Sequence, residues 1–176
     1  MKNDCLFLEA LKKVCTLSTM SSLHIISASS SGNTDHVVDT LVAHLKEKYP
    51  EHSVTVQRAE KATEKDFLEP DVLVLASGTW NYDAVEGYLN MHMRELLEKR
   101  VKDIDLGGKP IAFISLGDDR YYYTGRATER FMQFAMQHNA KSCCMPLIII
   151  NDPYGQEEKV ITWTEKLLSC FTPKES

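Results

Sequence analysis

Residues 29–34 form a run of six small polar residues whose types are suited to holding an anion. They lie between an apolar run, residues 23–26, and a helical pattern that begins near Asp35. The start of a helix leaves several backbone N–H groups without partners and carries a partial positive charge, and Ser or Thr hydroxyls add further donors. The sequence therefore predicts an anion site at Ser29, Ser30, Ser31, Gly32, Asn33 and Thr34.

The residue types of this loop favour a single phosphate held by neutral donors. Residues 29–34 contain no Lys, whereas a P-loop ends in Gly-Lys-Ser/Thr, and they lack the three spaced glycines of a dinucleotide-binding fingerprint. Gly32 lets the backbone approach a ligand closely. The alternative interpretation is that Ser and Asn only cap the helix, since both are preferred cap residues.

A second polar stretch, residues 77–83, follows an apolar run at residues 72–76 and carries two aromatic rings. A flat heterocycle could stack on Trp80, and Asn81 tolerates unusual backbone dihedral angles. An arrangement in which Trp80 and Tyr82 pack over the edge of a sheet is equally compatible with these residue types. The candidate binding residues of this stretch are Thr79, Trp80, Asn81 and Tyr82.

Alternating strand and helix patterns place these stretches at one edge of a sheet. Apolar or alternating runs predict strands at residues 23–28, 53–58, 72–76, 111–116 and 142–150, and helical periodicity predicts helices at residues 35–49, 84–101, 124–138 and about 160–168. Alternating polarity in the second strand and Pro146 in the fifth suit sheet edges. The prediction is an α/β fold with a five-stranded parallel sheet of order 2-1-3-4-5, in which the loops after the first, third and fourth strands border one crevice.

With its polar stretches in this order, the chain resembles the flavodoxins from about Leu23 to the last helix. Their phosphate loop reads Ser/Thr-x-Thr-Gly-Asn-Thr, which residues 29–34 match with Ser where Thr is usual. Their second loop reads Thr-Trp-Asn/Gly, which is matched from Thr79 to Asn81. The fifth strand carries no long insertion, as in the short-chain type. The resemblance implies a flavodoxin-like three-layer sandwich that binds FMN noncovalently.

The resemblance also implies roles within residues 116–125, where Gly-Asp precedes a tyrosine. Tyr121 would stack on the outer face of the flavin, and backbone N–H groups near Asp118 and Gly125 would donate to the pyrimidine edge of the ring. In the alternative interpretation, tyrosines only cover the sheet edge, which suits Tyr122 and Tyr123. The implied binding residues here are Leu116, Gly117, Asp118, Tyr121, Tyr123 and Gly125.

In the family, the peptide carbonyl at the position of Asn81 turns toward flavin N5 when the semiquinone forms. A branched residue at Asn81 is therefore expected to lower the semiquinone yield during reductive titration. Asp118 and Asp119 beside the presumed ring would lower the hydroquinone couple, since they disfavour added negative charge, whereas Arg120 acts in the opposite direction.

The resemblance implies a low-potential one-electron carrier, not an enzyme, that shuttles electrons between a flavodoxin reductase and acceptor proteins. An FMN-dependent quinone or NAD(P)H reductase on the same fold is the alternative, and a flavin-free interaction domain is a third hypothesis. The protein is expected to be a cytoplasmic monomer whose partners are redox proteins.

The chain has 176 residues and a formal net charge of −5, which is typical of one acidic globular domain. This charge argues against nucleic acid as a partner, and no apolar run is long enough to span a membrane. We expect a domain at residues 23–172 after an N-terminal extension, residues 1–22, of unknown role, with Met20 as an alternative start.

The five cysteines show neither a C-x-x-C pair nor metal-ligand spacing, so the sequence predicts no metal site. They are expected to be buried or free thiols in a reducing compartment. Cys143 and Cys144 are adjacent, and on a strand their side chains would point to opposite faces of the sheet.

Overall fold

The centre of the structure is a parallel sheet whose inner strands are apolar. The computed structural model describes residues 21–82 and 85–171. Over these residues the strands, in chain order, are β1 Ser22–Ala28, β2 Ser53–Arg58, β3 Val72–Tyr82, β4 Val85–Leu89, β5 Pro110–Gly117, β6 Lys141–Ser142 and β7 Leu147–Ile150. The parallel strands follow the order β2-β1-β3-β5-β6, with β7 also paired to β5. The predicted α/β class is confirmed, although the sheet has more strands than the five that were predicted.

Helices cover both faces of the sheet and produce three layers. They are α1 Asn33–Lys48, α2 Glu64–Leu68, α3 Met91–Glu95, α4 Ala127–Gln137 and α5 Glu157–Leu168, and α3 continues as a wider π-type turn at Leu96–Arg100. On one face, Leu41 of α1 and Trp163 of α5 pack in the core with Ile114 of β5. On the other face, the ring of Phe131 stacks on Phe113 with centroids 5.6 Å apart. Within the described residues, no helix has the length and apolarity needed to cross a membrane.

A β-hairpin replaces the first half of the helix that was predicted at residues 84–101. Strand β3 continues to Tyr82, and β4 pairs antiparallel with its extension through Thr79 and Leu89. Gly87 has φ +89, and a Cβ there would lie 2.5 Å from Cδ of Arg126, so this position requires glycine. The helix begins only after Asn90, whose side chain accepts a hydrogen bond from the backbone N–H of His92. Residues 83 and 84 lie outside the described residues.

The predicted fifth strand is divided into β6 and β7 by residues 143–146. Pro146 lies in this interruption because proline has no N–H to donate to a strand ladder. Both pieces pair with β5, as expected of a strand at the sheet edge. The interruption places Cys143 and Cys144 off the regular strands, so the alternation that would separate their side chains does not apply to them.

The expectation of buried or free thiols is wrong for two of the five cysteines, whereas Cys144 is a free thiol as expected. Cys143 and Cys170 form a disulfide with their Cα atoms 5.3 Å apart, and the sulfur of Cys144 lies within 4.8 Å of both sulfurs. Burial raises the pKa of the Cys144 thiol to about 11, which makes it a poor nucleophile at neutral pH. Cys5 and Cys15, the proposed N-terminal extension up to residue 20, and residue 172 lie outside the described residues.

Candidate functional site

A cavity of about 910 Å³ opens at the carboxyl ends of β1, β3, β5 and β7. This volume falls within the range of roughly 300–1,000 Å³ that is usual for small-molecule sites. The cavity lies where ligands bind in open parallel sheets, since the loops that follow neighbouring strands meet there. Its walls are Ser30, Ser31, Asn33, Thr34, Gly78, Thr79, Trp80, Asn81, Leu116, Gly117, Asp118, Asp119, Arg120, Tyr121, Asn151, Asp152 and Tyr154.

The first wall is the polar loop after β1, which leads into the N-terminus of α1. Gly32 adopts φ +91 and precedes the helix, and none of the described side chains caps this N-terminus. The hydroxyl of Ser29 accepts a hydrogen bond from the N–H of Gly32 at 3.1 Å, so Ser29 shapes the loop without capping the helix. Ser29 and Gly32 therefore lie behind the cavity wall. The helix-cap interpretation is wrong, and the first-turn N–H groups stay available to an anion.

Arg58 supports this loop from the end of β2. Its guanidinium donates to the carbonyl oxygen of Ser29 at 2.9 Å and forms a close ion pair with Asp35 in the first turn of α1. The pair places a cation beside an acidic residue that would otherwise repel an anion at the helix start. The sequence interpretation missed Arg58 because only the parallel pairing of β1 with β2 brings the two segments together.

Asn90, at the start of α3, supports the same loop. Its side chain is fully buried, and its Nδ2 donates to the hydroxyl of Ser30 at 2.7 Å. Its backbone N–H donates to the hydroxyl of Ser77, and its Oδ1 accepts from the N–H of His92. Asn90 thus joins the loop after β1, strand β3 and the start of α3.

Replacing Asn90 by Ala is expected to lower the free energy of unfolding by about 1–3 kcal/mol, because a buried cap and a buried hydrogen bond are lost together. Ligand affinity should fall about tenfold, since Ser30 is no longer held in place. Urea unfolding and an FMN titration measure the two effects. Asn90→Ser is the matched control, because it can still cap α3 but is too short to reach Ser30. Unchanged FMN affinity in Asn90→Ala would contradict the positioning role.

The second wall is the extended end of β3. The indole of Trp80 lies against Gly78, where a Cβ would stand 3.0 Å from Nε1 of the indole. The hydroxyl of Thr79 accepts from the N–H of Ala127 at the start of α4, so Thr79 both lines the cavity and supports a helix. Asn81 lies in the last part of β3 and also lines the cavity. Tyr82 points away, and its hydroxyl oxygen accepts from the N–H of Met91.

The third wall is the segment after β5. Of the residues that the sequence singles out here, Leu116, Gly117, Asp118 and Tyr121 line the cavity, whereas Tyr123 and Gly125 do not. The guanidinium of Arg126 lies 4.4 Å from the centroid of the Tyr123 ring. The carbonyl oxygen of Gly125 accepts from the hydroxyl of Ser115. Gly125 is therefore held against β5, whereas Tyr123 is exposed and packs against Arg126.

Asn151 connects this wall to a fourth one that the sequence interpretation missed. It has φ +68; its Oδ1 accepts from the N–H of Asp119 at 3.0 Å, and its Nδ2 donates to the Asp119 carboxylate at 2.9 Å. Tyr154 lines the cavity and stacks on His36 of α1, with ring centroids 4.0 Å apart. The signal that could have found these residues is their place after the last strand, whose carboxyl end reaches the same sheet edge.

Charge at the third wall is dominated by the pair of Asp118 and Arg120. The Arg120 guanidinium forms a close ion pair with the Asp118 carboxylate and lowers the pKa of Asp118 to about 2. The same contact raises the pKa of Arg120 above its ordinary value. The positive charge of Arg120 therefore offsets the negative charge of Asp118, one of the two acidic residues beside the cavity.

Replacing Arg120 by Gln is expected to return the pKa of Asp118 toward its ordinary value of about 4. With Arg120 present, Asp118 should stay ionised down to about pH 2. Carboxyl chemical shifts followed by NMR against pH measure the change. Arg126→Gln is the control, because Arg126 pairs with Glu129 and should leave the titration of Asp118 unaltered. Identical Asp118 titrations in Arg120→Gln and the unchanged protein would contradict the pairing.

Comparisons with known proteins agree with this fold. A family model described as flavodoxin matches residues 25–163, and the search of curated proteins finds no match. Flavodoxin 2 from Bacillus cereus is 26% identical, with 86% of this chain and 100% of that chain covered at a TM-score of 0.76. Flavodoxin 1 from Bacillus cereus is 21% identical, with the same coverage and TM-score. A flavodoxin from Streptococcus pneumoniae TIGR4 is 23% identical, with 85% and 99% covered at a TM-score of 0.72.

Proposed function

Because the chain belongs to the flavodoxin family, we propose that it is a one-electron carrier that holds FMN noncovalently in the cavity described above. The observation that carries this proposal is the uncapped start of α1, which opens into a cavity that also has aromatic rings on three walls. A phosphate and a flat ring are the two parts of FMN that such a cavity would accommodate. FMN, when bound, supplies the redox chemistry.

The phosphate end of the cavity fits a group that is held by neutral donors. The hydroxyls of Ser30, Ser31 and Thr34 and the first-turn N–H groups of α1 would hold the phosphate oxygens. Thr34 is 4% exposed, so its hydroxyl lies at the base of the loop, whereas Ser31 stands at the exposed rim. Arg58 would add positive charge from behind the loop without occupying the cavity.

The ring end of the cavity lies between two aromatic residues on different loops. Trp80 and Tyr121 would bracket the ring, exclude water from its faces and fix its orientation. Asp118 and Asp119 would disfavour negative charge on the ring and so favour a low potential, with Arg120 reducing their effect. Asn81, at the cavity wall, would present its peptide group to the ring.

The proposed partners are a flavodoxin reductase that donates electrons and acceptor proteins that receive them. Exposed aromatic side chains lie on the segments that border the cavity, including Tyr122 at 87% exposure, Tyr121 and Tyr154. Combined with the net charge of −5, such a surface would suit docking to a basic face of another protein. We propose a cytoplasmic monomer that exchanges electrons by transient contact.

The test is an FMN titration of the purified protein, followed by stepwise anaerobic reduction. We expect stoichiometric binding with altered flavin absorption, and uptake of the two electrons in two separate steps. Uptake in a single step, together with steady NADPH oxidation by a quinone without added reductase, would instead favour the FMN-dependent reductase. Protein that ignores FMN would favour the interaction domain and refute the proposal.

A further inference from the structure

A cluster of three cysteines lies at the opposite end of β5 from the cavity. Cys143 and Cys144 belong to the interruption between β6 and β7, and Cys170 follows the last turn of α5. Their three sulfur atoms all lie within 4.8 Å of one another. The N–H of Cys143 donates to the carbonyl oxygen of Ile111, near the start of β5, whereas the cavity adjoins its end. The two sites are therefore separate.

Regular structure holds both sides of the cluster. The N–H of Cys143 reaches β5 at 3.0 Å, and the N–H of Cys170 donates to Leu167 in the last turn of α5 at 2.9 Å. The indole N–H of Trp163 on α5 donates to the carbonyl oxygen of Met145 at 2.7 Å, which ties the interruption to that helix. These contacts fix the backbone of both segments, so the sulfur atoms converge without a large ordering cost.

We propose that, when its disulfide is reduced, the protein binds one Cu(I) ion through the sulfur atoms of Cys143, Cys144 and Cys170. Thiolates are soft ligands, and they favour Cu(I), Zn(II) and iron–sulfur clusters among the ions of proteins. Structural zinc sites use four protein ligands, and iron–sulfur clusters likewise use four. Among the described residues, the cluster offers three sulfur ligands and contains no His, Asp or Glu. Three sulfur ligands suit a three-coordinate Cu(I) ion.

The disulfide and the metal site exclude each other. The bond between Cys143 and Cys170 removes two of the three ligands, so a dithiol must first reduce it. In that step the dithiol gives up two electrons and two protons, becomes a disulfide itself and leaves two protein thiols. Binding of Cu(I) to the three thiols then forms three sulfur–copper bonds and releases three protons. The complex carries a charge of −2, which Lys166, close to Cys144, partly offsets.

The experiment titrates Cu(I) into the full chain, reduced with a dithiol that is then removed, under anaerobic conditions and in competition with a chromogenic Cu(I) chelator. We expect one ion per chain and the release of three protons into a weakly buffered solution. Cys143→Ser, Cys144→Ser and Cys170→Ser should each weaken binding by about 100-fold. The control is Cys5→Ser/Cys15→Ser, which keeps the cluster and should bind like the unchanged chain. Circular dichroism of each variant checks that it is folded.

Three results would overturn the proposal. Cys144→Ser could bind Cu(I) as tightly as the unchanged chain, which would leave a two-sulfur site. Cys5→Ser/Cys15→Ser could lose the ion, which would place the site on other cysteines. Oxidised protein, with the disulfide between Cys143 and Cys170 verified by mass spectrometry, could bind Cu(I) as well as reduced protein does. Because Cys144→Ser leaves both disulfide partners in place, its ability to form that disulfide separates a lost ligand from lost folding.

Discussion

Replacing Ser31 by Asp is expected to weaken FMN binding by about 100-fold, which corresponds to about 2.7 kcal/mol. Ser31 is exposed at the rim of the cavity, beside the uncapped N-terminus of α1. Near a protein surface, two like charges a few ångströms apart repel by up to roughly 4 kcal/mol before salt screens them. The free energy of unfolding should stay the same or rise by about 0.3–1 kcal/mol, because an acidic group at a helix N-terminus is favourable. A fluorescence titration with FMN and urea unfolding measure the two effects.

Two controls separate charge from shape in this experiment. Ser31→Asn has nearly the same size as the aspartate variant without its charge, and should lose much less affinity. Riboflavin lacks the phosphate, so its weaker binding should be nearly equal in the unchanged protein and in Ser31→Asp. Equal losses for riboflavin and FMN would mean that the loop does not hold the phosphate.

Replacing Gly117 by Ala is expected to displace the third wall and to lower FMN affinity by about 100-fold, with a loss of about 1–3 kcal/mol in the free energy of unfolding. A Cβ at Gly117 would stand 2.3 Å from the Thr124 hydroxyl oxygen and 2.6 Å from the backbone nitrogen of Gly125. Both contacts are far shorter than ordinary packing distances, so the segment from Asp118 to Gly125 must move. That segment carries Tyr121, and its movement opens one side of the proposed ring site. Equilibrium binding and thermal unfolding measure the effects.

The double variant Gly117→Ala/Thr124→Ala is the matched control. It removes the contact with the hydroxyl but leaves the one with the backbone of Gly125, so we expect partial recovery of stability and affinity. Thr124→Ala alone should bind FMN like the unchanged protein. If Gly117→Ala bound FMN as tightly as the unchanged protein, the third wall would not depend on the close approach of Gly117 to Thr124 and Gly125.

The sequence predicted the sheet well and the hairpin badly. Long apolar runs such as residues 72–76 and 111–116 identify buried parallel strands because a strand covered on both faces has no polar side. Residues 85–89 have no such run, and the apolar spacing that continues to Leu97 suggested one helix. The hairpin forms because Gly87 accepts a positive φ close against Arg126, a residue nearly 40 positions away in the sequence. The residue pattern of a short segment cannot predict that contact, because its two partners are far apart in the sequence.

Three features could be inferred from the sequence alone: the loop after β1, the aromatic residues at the end of β3 and after β5, and the parallel sheet that brings them to one edge. Each of these depends on the composition of a short segment or on the alternation of strands and helices. The residues that support those loops could not be inferred in this way, because Arg58, Asn90 and Asn151 act through hydrogen bonds between segments far apart in the chain. The convergence of Cys143, Cys144 and Cys170 has the same origin. It depends on how the interrupted strand and the end of α5 pack together, and spacing along the sequence does not encode that packing.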